Sequence, residues 1–192
     1  MKIKPALSYS HTLLKTVVQP GDVVIDATVG NGHDTEFLAQ LVGESGHVYG
    51  FDIQKIAIDN TTTKLTNAGL LKPVQLYNYG HERIDQLLPV DQKIQAATFN
   101  LGYLPGGNHA QITTATTTIP ALKACLTRLS QNGIVTVVLY YGHPGGRQEK
   151  NAVLNFVEHL NQRQFTVLKY QFVNQVNEPP ILIAIQKRCD DM

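Results

Sequence analysis

Almost nothing in this chain draws it toward a charged or lipid surface. Its 16 basic and 15 acidic side chains leave a formal net charge of +1. No chain-wide field therefore points to nucleic acid or membrane, and a polyanionic partner has to be met by a local patch. No stretch is long and apolar enough to span a bilayer. The first eighteen residues carry Lys2 and Lys4, but polar side chains interrupt any run that could act as a signal peptide. Cysteine is scarce. Cys125 and Cys189 lie far apart with no metal-like spacing, which reads as free thiols in a reducing compartment, with no metal site. Repeats, linkers and low-complexity segments are missing as well. What remains is one domain over residues 1–192, long enough to bury a full core, expected in the cytoplasm and without a membrane partner.

The elements that are present alternate. Leu7, Leu14 and Val18 fall at helical spacing and predict an amphipathic helix over 6–18. The turn "QPGD" leads into a buried strand, "DVVIDA", and then a helix over about 34–41. "HVYGFDI" is a second strand, followed by a helix to about Asn67; "PVQLYNY" and "IQAATFN" are the third and fourth strands. "AQITTATTTIPALKACLTRLS" is helical in its second half, where Pro120 is expected to break or restart the helix. "GIVTVVLYY" is a fifth strand, "EKNAVLNFVEHLNQ" a helix, and "FTVLKYQFV" and "PILIAIQK" close the chain as strands. This order predicts an α/β, doubly wound, mostly parallel seven-stranded sheet. The short loop between the last two strands makes them an antiparallel edge pair.

In such a sheet ligands sit over the carboxyl ends of the strands, where the first strand-to-helix turn lies. Here that turn is "DATVGNGHDT", with Gly30 and Gly32 allowing close backbone approach. The dinucleotide fingerprint asks for a third glycine or alanine where this chain has Thr35. Acids also flank the turn, Asp26 before it and Asp34 after it. A pyrophosphate would be repelled there, whereas a guest with an ammonium and a sulfonium would be attracted. S-adenosylmethionine is such a guest. Asp52 ends the second strand about twenty residues on, where an acid can accept hydrogen bonds from both ribose hydroxyls of an adenosine.

The fourth strand runs into "FNLGYLPGGNHA". An amine that attacks a methyl must be neutral and aimed, and the Asn100 amide with nearby carbonyls could hold its N–H groups. Tyr103 could stack on a base or cover the site. His33, His81 and His143 are expected on the same sheet edge, where one could take up a proton. Asn174, Gln175 and Asn177 precede a diproline, and either read a base edge or satisfy a turn. Lys2, Lys4, Lys15, Arg83, Arg147 and Lys150 are candidate phosphate contacts.

Taken together, "DATVGNGHDTEFLA", "FDIQKIAI", "FNLGYLPGGN", "YYGHPGG" and "NQVNEPPILI" resemble the small YtqB-like class I methyltransferases, formerly called rRNA methylases, and among them the MnmM-type tRNA enzymes. The resemblance spans nearly the whole chain. It implies a Rossmann-like class I sheet, S-adenosylmethionine as cofactor, and N-methylation of 5-aminomethyl-(2-thio)uridine at the tRNA wobble position. The anticodon arm is the implied partner, and a homodimer the implied assembly. On the matching positions, Asp26, Gly30, Gly32, His33, Asp34 and Thr35 would line the methionine side, with Thr28 and Asn31 of the same turn also binding the cofactor. Asp52 and Gln54 would hold the adenosine, and His81 is a further expected cofactor contact. Asn100, Leu101, Gly102 and Tyr103 would face the amine, Asn100 also touching the cofactor, with Asn100, Tyr103 and His143 catalytic and Asn174, Gln175 and Asn177 on the substrate. The family's acid in this loop is replaced by Asn108. Rival readings are a related enzyme acting on ribosomal RNA or a small amine, a nicotinamide oxidoreductase, and a non-catalytic adenosine-binding or RNA-binding module.

Overall fold

The computed structural model describes residues 3–102 and 112–188. Helix α1 (Ala6–Val17) precedes strand β1 (Val23–Asp26), α2 (His33–Val42), β2 (His47–Phe51), α3 (Lys55–Asn67) and β3 (Val74–Tyr77). A 3₁₀ turn, His81–Arg83, then leads into the short α4 (Ile84–Leu87), which sequence periodicity did not reveal, and into β4 (Ile94–Leu101). Helix α5 (Ala115–Arg128), β5 (Leu129–Leu139), α6 (Gly146–Glu158), β6 (Phe165–Tyr170) and β7 (Ile181–Lys187) complete the chain. No helix among the described residues is long and apolar enough to cross a membrane.

The seven strands lie in the order β3-β2-β1-β4-β5-β7-β6. The chain builds outward from β1 through β2 to β3, then returns to the other side of β1 as β4. Asp26 therefore lies between Gly50 on one neighbour and Thr98 on the other, all running parallel. This reversal of direction opens a crevice at the carboxyl end of β1. The closing strands do form an antiparallel pair at one edge, and β7 is the strand that runs against the rest, set between β5 and the outermost β6.

Strand alternation decides what reaches the crevice. Ile25, Ala97, Phe99 and Leu101 turn to the core under α5 and α6. Val24 and Ala96 turn to the opposite core, under α1 and α2. Asn100 shares the parity of Ala96 and so faces α1 and α2. Pro120 lies within a continuous α5 instead of breaking it. The bond its missing N–H gives up would have gone to the carbonyl of Thr116, and both residues are exposed, so water can satisfy that oxygen.

Candidate active site

A cavity of about 450 Å³ occupies the crevice, with walls from the β1–α2 turn, the ends of β2 and β4, and α1. Thr28, Gly30, Asn31, His33 and Asp34 line one side of it, and Asp52, Gln54 and His81 another. Asn100 and Gly102 close the β4 end. Ten of the expected site residues thus meet at one cavity.

The turn itself needs its glycines. Gly30 has φ +51° and Gly32 φ +72°, backbone that side chains with a Cβ seldom adopt. A Cβ on Gly32 would also stand 2.6 Å from the Thr61 hydroxyl of α3. Asp52 clamps the turn from the next strand, accepting the Gly30 N–H at 2.9 Å and the Gln54 N–H at 2.8 Å.

Asp26, Gly32 and Thr35 do not line the cavity; they brace the turn from behind. Asp26 is fully buried and accepts the Thr28 N–H (3.1 Å) and the Thr35 hydroxyl (2.6 Å). Burial first, and the Asp34 carboxylate second, push its carboxyl up to about 7. The acid behind the turn therefore carries only part of a charge near neutral pH, and Asp34 and Asp52 face the guest. In the unfolded chain this carboxyl titrates near 3.8, so between the two values the folded chain binds the extra proton. The stability it contributes is complete below the lower value and is lost as pH rises through the higher one. In calorimetric melts of the ligand-free protein, we expect wild type to lose stability relative to Asp26→Asn from about pH 5 to about pH 7. The slope should reach up to about 1.4 kcal/mol per pH unit and flatten above about pH 8. Parallel curves for the two proteins would contradict the shifted carboxyl.

Asp34, in the first turn of α2, is the hub of the site. Its Oδ2 accepts the Asn100 Nδ2–H at 2.6 Å, and its Oδ1 takes His11 Nε2 of α1 at 2.8 Å. The Asn100 N–H donates to the Thr28 hydroxyl at 2.7 Å, tying β4 to the turn. With Nδ2 committed, the Asn100 Oδ1 is buried and has no hydrogen-bond partner among the described residues, as is also true of His81 Nε2. His81 is buried, donates from Nδ1 to the Ala27 carbonyl at 3.0 Å, and is held toward its neutral form by burial. His33 accepts at Nδ1 from the Lys64 ammonium at 2.8 Å.

Other expected residues lie elsewhere. Leu101 is buried in the opposite core, because neighbouring strand residues face opposite ways. His143 does not line the cavity; its ring packs behind Gly102, with Nε2 3.7 Å from where a Cβ there would sit. Asn174, Gln175 and Asn177 are exposed on the β6–β7 loop, away from the cavity. Asn177 has φ +65°, which fits the turn reading. Glu178 of the same loop pairs with Arg147 at 2.6 Å, so that arginine is already engaged. Tyr103 and Asn108 lie outside the described residues.

Several residues went unrecognised in the sequence. Thr113 accepts the Gly102 N–H and donates to the buried Glu149 carboxylate at 2.7 Å, while Thr118 donates to its other oxygen at 2.6 Å. Glu149 so fixes the backbone beyond β4 from α6. Tyr140 borders the cavity at the end of β5, and its phenol is pushed up by burial and then by Asp34.

The carboxylates Asp34, Asp52 and Glu82 reach the cavity wall, whereas no lysine or arginine among the described residues does. The arrangement suits a cationic guest and disfavours a diphosphate. The family described as "Putative rRNA methylase" matches residues 48–186. A chloroplastic tRNA (mnm5s2U34)-methyltransferase of Arabidopsis thaliana is 39% identical over 193 residues, covering 96% of this chain and 70% of that protein. The structure of a "putative rRNA-methylase" from Clostridium thermocellum matches with a TM-score of 0.95 at 49% identity, over 97% of this chain and 100% of that one. A "putative methyltransferase" from Streptococcus mutans, solved in complex with SAH, matches at 0.88 and 43%, over 97% and 99% of the two chains. The sheet is that of a class I methyltransferase. The chain belongs to the rRNA methylase family.

Proposed function

We propose that this methyltransferase N-methylates 5-aminomethyl-(2-thio)uridine at the tRNA wobble position, engaging the anticodon arm and working as a cytoplasmic homodimer. Its methyl donor is S-adenosylmethionine, whose ammonium and sulfonium suit a cavity with the carboxylates Asp34, Asp52 and Glu82 in its wall and no lysine or arginine among the described lining residues. When bound, the donor supplies a methyl already activated on sulfur. The tRNA assignment draws on the Arabidopsis relative.

The observation that carries the amine reading is the unpartnered Asn100 Oδ1. A buried acceptor without a donor costs about 1–3 kcal/mol, and an incoming amine N–H removes that cost. Accepting that N–H also turns the nitrogen lone pair in a fixed direction. The residues then contribute mainly by orientation and by excluding water. Phe51 gives the adenosine side an apolar wall beside His81. Asp52 offers its remaining lone pairs to ribose hydroxyls, and His33, with Nδ1 engaged by Lys64, presents Nε2–H to a carboxylate.

Nucleoside mass spectrometry of tRNA from cells with and without the protein tests this. We expect the methylaminomethyl nucleoside to vanish and its aminomethyl precursor to accumulate. An unchanged tRNA profile, with methyl incorporated into ribosomal RNA by the purified protein, would assign the same chemistry to the other RNA.

A further inference from the structure

We propose that His11 is a positioning residue for methyl transfer: through Asp34 it locks the Asn100 amide in the orientation that leaves Oδ1 for the substrate amine. The inference rests on the amine reading above and names a residue that sequence motifs do not mark. A carboxylate only accepts hydrogen bonds. Both ends of the triad are thereby oriented: the Asn100 atom 2.6 Å from Asp34 Oδ2 is the NH₂ group, and His11 Nε2, 2.8 Å from Oδ1, carries a proton. Were Asp34 free to turn, Asn100 could flip and offer N–H groups to the amine. These would compete for the lone pair that has to attack.

The geometry makes His11 the brace against that rotation. It projects from α1, a helix anchored on β5 and β7 through a core that includes Ala6, Val138 and Leu182. The neighbouring Ser10 hydroxyl donates to Thr136 at 2.9 Å, and Thr136 donates to Thr98 at 3.1 Å. The α1 backbone is thus pinned to β5 and β4 beside His11. The imidazole is stacked on Phe37 of α2, with centroids 4.1 Å apart and planes at 13°. Asp34 is almost wholly buried, at 5% exposure, so water offers little substitute for a lost donor.

The stack supplies the competing account, in which His11 only packs. Two substitutions separate them. His11→Phe keeps an aromatic ring for Phe37 and removes the donor; His11→Gln places an amide N–H near the Nε2 position and removes the ring. We expect His11→Phe to lower the single-turnover rate on tRNA bearing the aminomethyl base by about 10–100-fold, with S-adenosylhomocysteine affinity within about threefold. His11→Gln should recover the rate to within about threefold of wild type. In an Asn100→Ala background, His11→Phe should cost less than about twofold more, because the two act as one unit.

A spectroscopic readout stands apart from turnover. In protein labelled with ¹⁵N-asparagine, the Asn100 side-chain signal, identified by its loss in Asn100→Ala, should exchange with water at least about tenfold faster in His11→Phe than in His11→Gln. Equal losses in both His11 variants, full additivity with Asn100→Ala, or an unchanged Asn100 signal would each overturn the proposal. A wild-type protein that transfers no methyl to any tRNA overturns the amine reading instead, and the NMR comparison still decides whether His11 locks the amide.

Discussion

Asn100→Ala is expected to lower the single-turnover methylation rate by about 10²–10³-fold while S-adenosylhomocysteine affinity stays within about threefold. The asymmetry follows from where each bond of Asn100 goes. Its N–H donation to Thr28 survives truncation, so the β1–α2 turn keeps its tie to β4. Asp34 loses the Nδ2 donor but keeps His11. What disappears is an acceptor at the β4 end of the site with no hydrogen-bond partner among the described residues, and with it, on the amine reading, the aim of the lone pair. An interaction that matters to the reacting nitrogen and not to the donor should appear in the rate alone. Asn100→Asp is a harsher variant, because it sets a second carboxylate where Nδ2 now stands 2.6 Å from Asp34. If Asn100→Ala reduced rate and affinity equally, Asn100 would be part of the donor's binding wall, and the amine-holding role would be lost.

The parts of this site that were legible in the sequence are those attached to strand ends. Once β1, β2 and β4 are recognised as parallel neighbours, Gly30, Asp52 and Asn100 must lie along one edge, and they do. Spacing says less about which side of a turn a residue faces. Asp26 and Asp34 flank the same two glycines, yet one braces the turn from within the core and the other opens on the cavity. Leu101 shows the limit of grouping consecutive residues, since strand alternation sends it to the opposite core from Asn100. His11 and Glu149 left no local trace. Each enters the site through helix packing across the sheet, a tertiary relation that neither periodicity nor motif spacing encodes. Pro120 misled for a different reason: a proline is tolerated within a helix when the carbonyl it orphans faces water.

Asp52→Ala should weaken S-adenosylhomocysteine binding by about a hundredfold, with the rate at saturating donor within about threefold of wild type. Hydrogen bonds to a charged acceptor contribute about 1.5–3 kcal/mol each, so loss of two ribose hydroxyl contacts, partly made up by water, comes to about 2.7 kcal/mol. Burial raises the Asp52 carboxyl, and the Gln54 and Gly30 N–H groups oppose that rise; on the ribose reading these two donors hold a carboxylate in place for the hydroxyls. Removing it also frees the Gly30 N–H, so the turn that carries Asn31 to Asp34 loosens. Asp52→Asn separates the two effects. Its single side-chain oxygen can serve either a backbone N–H or a hydroxyl, and we expect an affinity loss of about tenfold with a smaller fall in melting temperature than in Asp52→Ala. Calorimetry with the nicotinamide dinucleotide as a second ligand completes the argument, because a ribose acceptor alone suits both molecules. The acidic wall around Asp34 should leave that diphosphate unbound in wild type and variants alike. Tight dinucleotide binding would mean that the charge of the cavity does not select its guest.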